Sequence, residues 1–413
     1  MSNLNGVSIQ KGKVGANRLN NDRAVSALIV SSPANAQLPF KQAVKIYSLF
    51  DAETYGITAE ADLSSNTHVY RHVREFFRMA GEGTELNLMI VPQAETLLTI
   101  TTDAAGDIVK ALLINGDYKV RQLAIATNPT VAPTIVDGLP SDLLDAIQAA
   151  QGIANWAFTQ FMPLQIILEG RSITGSAVVQ DLRDPAIDAN KVTVVNGQDW
   201  QYADLMTGEA KNFADVGTVL GVLSAAGINQ NIGDNEAFNI TDSTKGVWVV
   251  PGLSNHAKIK DAFQELQTYE NKGYVFGITY AGLAGVRINN DHVSAPIVID
   301  AEGNLNEHTI SLGRVVDDAV RQLRAVYLPK IKKTYPVDEN GKIPAGLRIS
   351  LESIGDQVFA DMQRAGEISI GKATINPNSD LLVAKQLIVT YRIVPTGQVG
   401  EIIGTINLKN ELN

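Results

Sequence analysis

The chain has 413 residues, of which 45% are hydrophobic and 19% are charged, a composition typical of a folded globular protein. This length exceeds what one hydrophobic core usually organises, so we expect two or more domains. The absence of cysteine excludes disulfides, thiolate metal sites and cysteine nucleophiles. A net charge of −10 argues against a general nucleic-acid-binding protein, because phosphate contacts need clustered Lys and Arg.

Residues 1–23 are predicted to form an N-terminal arm. Val7 and Ile9 alternate with polar residues and indicate one short strand, which lies in a Gly-, Asn- and Lys-rich sequence with nothing local to pack against. The arm lacks the apolar core of a secretory signal, and apolar runs such as residues 216–228 are shorter than the ~20 residues that span a bilayer. We therefore expect neither secretion by that route nor membrane insertion.

From residue 24 to residue 299 the pattern alternates between strands and helices. The predicted strands cover residues 24–30, 85–91, 120–126, 163–170, 246–250 and 274–280, and the predicted helices cover residues 66–83, 103–116, 142–158, 213–227 and 255–273. Strands that alternate with helices of this length predict a layered α/β domain with a largely parallel sheet.

Residues 300–385 have a different texture and are predicted to form a smaller C-terminal α+β domain. A long helix over residues 312–335 grows more basic along its length, and Pro329 should kink or end it. Residues 347–368 are expected to be helical in part.

Residues 386–413 are predicted to form a C-terminal arm with two strands separated by a break. The residues that define the strands are Leu387, Val389, Tyr391 and Ile393 in the first and Ile402, Ile406 and Leu408 in the second. Two strands at a terminus are an aggregation hazard if their edges stay open. Either they close a hairpin on the sheet of their own chain, or they are donated to the sheet of a neighbouring copy. The isolated strand of the N-terminal arm favours donation.

Candidate catalytic and metal chemistry is weak throughout the sequence. His68 and His72 are four residues apart on one predicted helix with Glu75 nearby, a spacing that suits a divalent metal, but no further strong ligand is visible and a solvated polar helix edge is the preferred interpretation. Residues 300–311 fail as a calcium loop, because Leu305 stands where the loop requires glycine. Neither a nucleophile elbow nor a phosphate-binding loop is present. We therefore predict no catalytic residue, no metal and no cofactor.

Three stretches resemble the contractile tail sheath proteins of phage tails, R-type bacteriocins and contractile injection systems. QLIVTYRIVPTGQVGEIIGTINL (386–408) is similar to the family's closing pattern of a strand, a Val-Pro break and a second Ile-rich strand. GVSIQKGKVG (6–15), followed by AVSALIVSS, resembles the family's N-terminal arm entering its first domain. KIYSLFDAETYGI (45–57) is similar to an early segment that ends in an aromatic residue and glycine.

The resemblance implies a structural protein and not an enzyme. It implies hexameric rings stacked around an inner tube, with baseplate and terminator proteins at the ends, assembly in the bacterial cytoplasm and no role for nucleic acid. Residues 24–299 would form the outer part of the sheath and residues 300–385 the inner domain. The strands of both arms would pair with neighbouring subunits and stay paired while the sheath contracts. Hinges at the arms are expected at Gly12, Gly15, Pro395 and Gly397.

The tube-facing surface is assigned as a hypothesis to a basic patch in an otherwise acidic chain. Its members are Arg321, Arg324, Lys330, Lys332 and Lys333. An acidic tube would bind this patch through salt-sensitive contacts. The alternative is a solvated helix face that pairs with Asp317, Asp318 and Glu352. Two other functions stay open from the sequence: an α/β enzyme or ligand-binding protein without a visible site, and a self-assembling filament or shell that does not contract.

Overall fold

A computed structural model describes residues 22–103, 106–339 and 341–408. The chain divides into two compact units, Met1–Arg314 and Val315–Asn413. The division into four parts that the sequence suggests stays a prediction.

The first unit contains most of the secondary structure. In chain order its elements are β1 (Ser26–Ser32), β2 (Ala43–Ile46), α1 (Leu49–Thr54), α2 (Ala59–Ser65), α3 (Val69–Ala80), β3 (Leu86–Pro92), α4 (Leu97–Thr101), α5 (Ile108–Asn115), β4 (Gln122–Ala126), β5 (Ile135–Val136), β6 (Leu139–Pro140), α6 (Leu143–Thr159), β7 (Gln165–Glu169), β8 (Val192–Val195), β9 (Gly197–Asp199), α7 (Trp200–Ala203), a 3-10 turn (Gly208–Asn212), α8 (Val216–Ala225), β10 (Pro251–Leu253), α9 (Phe263–Asn271), β11 (Gly277–Tyr280) and β12 (Leu283–Ile288).

A six-stranded sheet in the order β2-β3-β1-β4-β7-β8 organises this unit. Strands β3, β1, β4, β7 and β8 run parallel, and β2 is antiparallel to β3 at one edge. Numbered along the chain, the parallel strands lie in the order 2-1-3-4-5, one of the common orders of doubly wound folds. The predicted α/β fold class, with a largely parallel sheet, is confirmed.

Helices cover both faces of the sheet, because its central strands are apolar on both sides. One buried cluster joins the sheet to α4, α5 and α6, and the other joins it to α3 and α8. Helix α8 packs closely on α3 because it carries glycine at two positions one turn apart: a Cβ on Gly217 would lie 2.3 Å from the carbonyl oxygen of His72, and one on Gly221 would lie 2.7 Å from that of Phe76.

Two elements predicted from the sequence are wrong in part. Residues 246–250 do not form a strand, because Trp248 has a left-handed backbone with φ of 52° and buries its indole, whose Nε1 donates to Thr218 Oγ1 at 3.0 Å. The short strand β10 follows this turn and pairs with β9. The helix predicted over residues 255–273 forms only from Phe263 onward, since His256 is also left-handed, with φ of 62°.

The remaining elements are helix α10 (Ile310–Tyr327), a 3-10 turn (Leu328–Lys330), helix α11 (Ala345–Arg364) and strands β13 (Ile368–Ile375) and β14 (Val389–Pro395). Pro329 lies in the 3-10 turn, so its predicted role in ending the preceding helix is confirmed. In the second unit, α11 packs against β13, which pairs antiparallel with β14. Glycine permits the packing here too: a Cβ on Gly371 would meet the Phe359 ring at 2.5 Å.

Candidate assembly site in the C-terminal unit

The first predicted arm strand is β14, and it pairs with β13 of its own chain. The register places Ala373 opposite Tyr391 and Ile375 opposite Val389. Leu387 and Val389 also pack against the small buried cluster of this unit. One edge of β14 therefore pairs within its own chain, as in the alternative that the sequence left open, but the two arm strands form no hairpin with each other in the described residues.

The direction of the backbone groups on β14 follows from one hydrogen bond. The Asn376 N–H donates to the Ile388 carbonyl at 2.9 Å, so the polar groups of residue 388 face β13. Because these groups alternate along an antiparallel strand, the N–H and C=O groups of Val389, Tyr391 and Ile393 face away from β13. These three residues, all predicted to pair between subunits, occupy the outward edge of β14. Their pairing with another copy stays a prediction.

The outward edge of β13 is different. By the same alternation, Ala373 and Ile375 direct their N–H groups away from β14. The Ala373 N–H donates to Asp356 Oδ1 at 2.8 Å, and the Ile375 N–H donates to Glu352 Oε1 at 2.9 Å. Both carboxylates belong to α11. At Ala373 and Ile375, this edge thus has hydrogen-bond partners inside the unit.

The second predicted arm strand lies in residues 396–408, which form no helix or strand in the structure. Its large apolar side chains are solvent-exposed: Ile402 is 88% exposed, Ile406 94% and Leu408 101%. An exposed segment rich in β-branched, apolar residues, here residues 399–408, is suited to adding to a sheet edge elsewhere. Its pairing with a neighbour stays a prediction.

The predicted hinges and the N-terminal strand can be placed only in part. Pro395 is the last residue of β14 and Gly397 lies two residues later, so both lie where the paired strand passes into the exposed segment. Val7, Ile9, Gly12 and Gly15 lie outside the described residues.

The predicted tube-contact patch spans three local structures. Arg321 and Arg324 lie half-buried in α10, Lys330 ends the 3-10 turn, and Lys332 and Lys333 are exposed beyond it. Two of the acidic residues named in the alternative accept hydrogen bonds: Asp318 from Gln322 Nε2 at 2.6 Å, and Glu352 from the Ile375 N–H at 2.9 Å. The tube contact itself stays a prediction.

The expectation of a solvated polar edge at His68, His72 and Glu75 is wrong, because all three side chains are buried. Asn128 Oδ1 accepts from His68 Nδ1 at 3.0 Å, which fixes the imidazole with its proton on Nδ1. Burial, together with the positive charge of Arg171, holds the pKa of His68 well below its usual value, so the ring is neutral. In the described part of the chain, no group of three or more His, Asp or Glu side chains could hold a metal ion.

A buried ion cluster around Arg71, on the same face of α3, was not anticipated. The guanidinium donates from Nη2 to Asp215 Oδ2 at 2.6 Å and to Asp199 Oδ2 at 3.3 Å, and its Nη1 lies 3.6 Å from Glu75 Oε1. Burial acts to raise the pKa of Asp215, but Arg71 holds it below its usual value. The signal available in the sequence was an arginine on the apolar face of an amphipathic helix, where a charge is retained only if it is paired.

Two cavities in the first unit bear on the enzyme alternative. One, of about 230 Å³, is lined in part by Asp62, whose pKa burial raises to about 6. Its carboxylate already accepts from the N–H groups of Val69 and Arg71, each at 2.9 Å, at the start of α3. This carboxylate therefore caps the start of α3.

The other cavity, of about 360 Å³, lies at the carboxyl ends of β4 and β7 and is lined in part by Glu169 and Arg171. Glu169 accepts from the Thr127 N–H at 2.8 Å, the Ala214 N–H at 3.1 Å and Arg171 Nη2 at 3.0 Å. Internal contacts thus occupy both buried carboxylates that line these cavities.

Among the described residues, no helix is both long enough and apolar enough to cross a membrane.

Solved structures resemble nearly the whole chain. A chain in the anti-feeding prophage baseplate structure has a TM-score of 0.55 at 12% identity, covering 99% of this chain and 100% of that one. A chain in the contracted-state sheath complex of the PVC extracellular contractile injection system has a TM-score of 0.56 at 12% identity, covering 99% of each chain. A sheath tail protein from Desulfitobacterium hafniense has a TM-score of 0.46 at 11% identity, covering 95% of this chain and 100% of its own.

At this identity the likeness establishes the fold, and the resemblance to contractile tail sheath proteins is confirmed at that level. No curated protein matches the sequence significantly. Two family descriptions cover most of the chain: DUF2586, N-terminal domain, matches residues 4–292, and DUF2586, C-terminal domain, matches residues 308–413. The chain therefore belongs to the DUF2586 family, and its fold is that of the contractile tail sheath proteins.

Proposed function

We propose that this protein is the structural subunit of a contractile sheath and not an enzyme. In this proposal, subunits form hexameric rings that stack around an inner tube between a baseplate and a terminator, are assembled in the bacterial cytoplasm, and contract to drive the tube through a target envelope. The observation that carries the proposal is the exposed Ile-rich segment of residues 396–408 in a chain with the sheath fold. Such a segment becomes stable when another copy supplies its partner strand.

The open edge of β14 supports a specific form of this assembly. Val389, Tyr391 and Ile393 direct N–H and C=O groups outward, and an incoming strand needs such a row. Backbone pairing depends little on side-chain identity, so it can persist while the attached domains rotate. Pro395 and Gly397, between the two segments, would absorb the change in backbone angles.

The experiment that tests assembly is negative-stain electron microscopy of the purified protein over a range of concentrations and with its tube protein. The full chain should form tubes or stacked rings, and a chain that lacks residues 396–413 should stay monomeric but folded, because β14 is retained. A chain that lacks residues 386–413 loses β14 and should also destabilise its second unit. Tubes formed by the chain that lacks 396–413 would contradict strand donation.

Point substitutions sharpen the same test. Ile402→Asp combined with Ile406→Asp should abolish the tubes, because buried carboxylates at a strand junction oppose pairing. Val383→Asp is the matched control, since Val383 is 86% exposed in the same unit but lies outside the segment. Equal loss of assembly in both variants would mean that surface apolarity in general, and not this segment, drives association. Tubes that adopt two helical pitches would favour a sheath over a filament that does not contract.

The contact with the tube is proposed to involve the basic patch of α10 and the turn that follows. Charge reversal at Arg324 and Lys332 should reduce co-assembly with the tube at low salt and leave tube-free assembly unchanged. Co-assembly at parental levels at every salt concentration would remove the patch from the proposal.

A further inference from the structure

The two edges of the β13–β14 sheet differ in their hydrogen bonding: side chains of α11 accept from two outward amides of β13, and the outward amides of β14 have no such cover in the described residues. We propose that Asp356 and Glu352 close the β13 edge and thereby restrict strand addition by a second copy to the β14 edge. This inference rests on the proposed strand donation and adds to it the residues that select the acceptor edge.

The spacing of the two carboxylates matches the spacing of the backbone groups that they occupy. Asp356 and Glu352 are four residues apart on α11, which places them ~6 Å apart along the helix on one face. The outward N–H groups of Ala373 and Ile375 are two residues apart on β13, a separation of ~7 Å. Helix and strand are therefore in register at these two positions, with one carboxylate for the Ala373 amide and one for the Ile375 amide.

Arg348 and Glu352 form an ion pair within the helix, but helix stability does not explain why Asp356 follows Glu352 by four residues. Two like charges four residues apart weaken a helix, so their presence needs another reason. Each has a cation that orients it: Lys372 Nζ lies 2.6 Å from Asp356 Oδ2, and Arg348 Nη1 lies 3.9 Å from Glu352 Oε1. In each carboxylate one oxygen accepts from a β13 amide, so an incoming strand would have to displace a charged acceptor before it could pair.

The β14 edge has no such cover in the described part of the chain. Its outward residues are Val389, Tyr391 and Ile393, and Pro395 ends the row because it has no N–H group. One acceptor edge in each subunit lets every copy receive one strand. Two open edges would let a small sheet grow in both directions, the usual route to edge-to-edge aggregation.

The test counts the strands that one subunit can accept. The background is the full chain with Ile402→Asp and Ile406→Asp, which cannot donate but keeps both edges of its sheet. A fluorescent peptide of residues 398–408 is titrated against it, and we expect one site per chain. Adding Asp356→Ala and Glu352→Ala should raise the number to two. The matched control, Asp356→Asn with Glu352→Gln, keeps an amide oxygen at each position and should retain one site.

The outcomes distinguish failure of strand donation from failure of the role assigned to Asp356 and Glu352. If the background binds no peptide, the proposed strand donation fails. If the background, the alanine pair and the amide pair all bind one peptide, donation stands and the role of the two carboxylates is overturned, because the body of α11 would then suffice to cover the edge. Two sites in the background would also overturn it.

Hydrogen exchange supplies a test that does not depend on the folding of the alanine pair. In the same background without peptide, the amides of Ala373 and Ile375 should exchange at least tenfold more slowly than those of Tyr391 and Ile393. Equal rates on the two edges would mean that the carboxylates do not hold the β13 amides, and the inference would fall.

Discussion

The central sheet of the first unit and the C-terminal segment use similar residues in opposite ways. All seven residues of β1 are buried, and neighbouring strands of the same chain pair with it on both sides. Residues 396–408 are also rich in Ile and Val, yet Ile402 and Ile406 are almost fully exposed. An apolar strand sequence therefore indicates that a partner exists without indicating that the partner lies in the same chain. The sheet strands of the first unit pair within the chain, whereas for residues 396–408 we propose a partner in another copy.

Within the first unit, we expect the largest loss of stability from substitution of Arg71. Arg71→Met leaves the carboxylates of Asp215, Asp199 and Glu75 buried without their shared cation, so we expect it to lower the free energy of unfolding by about 3–5 kcal/mol. Urea denaturation measures this loss. Arg74→Met is the control, because the side chain of Arg74 is 31% exposed and its contact with Glu75 should contribute less than about 1 kcal/mol. Equal losses would mean that the buried cluster does not carry the effect.

A single added methyl group is expected to destabilise the second unit. Gly371→Ala places a Cβ 2.5 Å from the Phe359 ring, between β13 and α11, and should destabilise this unit by about 1–3 kcal/mol. Gly346→Ala lies on the same helix in open space and should be neutral or stabilising by up to about 1 kcal/mol. The measurement is the unfolding transition of each variant. If the two glycines respond alike, close packing at Gly371 does not limit stability.

The smallest expected effect is a pH dependence confined to the first unit. The folded-state pKa of His68 is lowered by burial and by Arg171. Below pH ~6.5, His68 is therefore protonated in the unfolded chain while it stays neutral in the folded chain. The stability contributed by neutral His68 is complete above that pH and decreases as the pH falls, by at most about 1.4 kcal/mol per unit. His68→Gln should flatten the slope of unfolding free energy between pH 6.5 and 5, and an unchanged slope would exclude His68 as its source.

Periodicity was enough to predict the α/β class and four of the six strands of the main sheet, because the apolar runs of β1, β3, β4 and β7 are uninterrupted. The four-residue strands β2 and β8 were not predicted. It failed where single residues take a left-handed backbone, as at Trp248, since propensity says nothing of a tertiary hydrogen bond that holds such a turn.

The candidate site was predicted less well. Strand β13 is not predicted, because Gly371 and Lys372 interrupt its apolar alternation, and without it the sequence does not identify the strand of its own chain that pairs with β14. The carboxylates on the β13 edge were equally out of reach, because a helix sequence does not reveal that Asp356 and Glu352 face two amides of a strand. Long-range pairing had to be observed in the structure.

Under the proposed strand donation, the shortness of the open row on β14 would limit the strength of a single junction. Three outward residues offer at most six hydrogen bonds, which at a net value of about 0.5–1.5 kcal/mol each amount to roughly 3–9 kcal/mol before the entropy of association is subtracted. One such link would be easily reversed, so a subunit added in the wrong place could leave. Once several neighbours held the same subunit, the links would act together and departure would become slow. In the proposed lattice, a short acceptor edge would therefore allow errors to be corrected during growth and still give a durable assembly when complete.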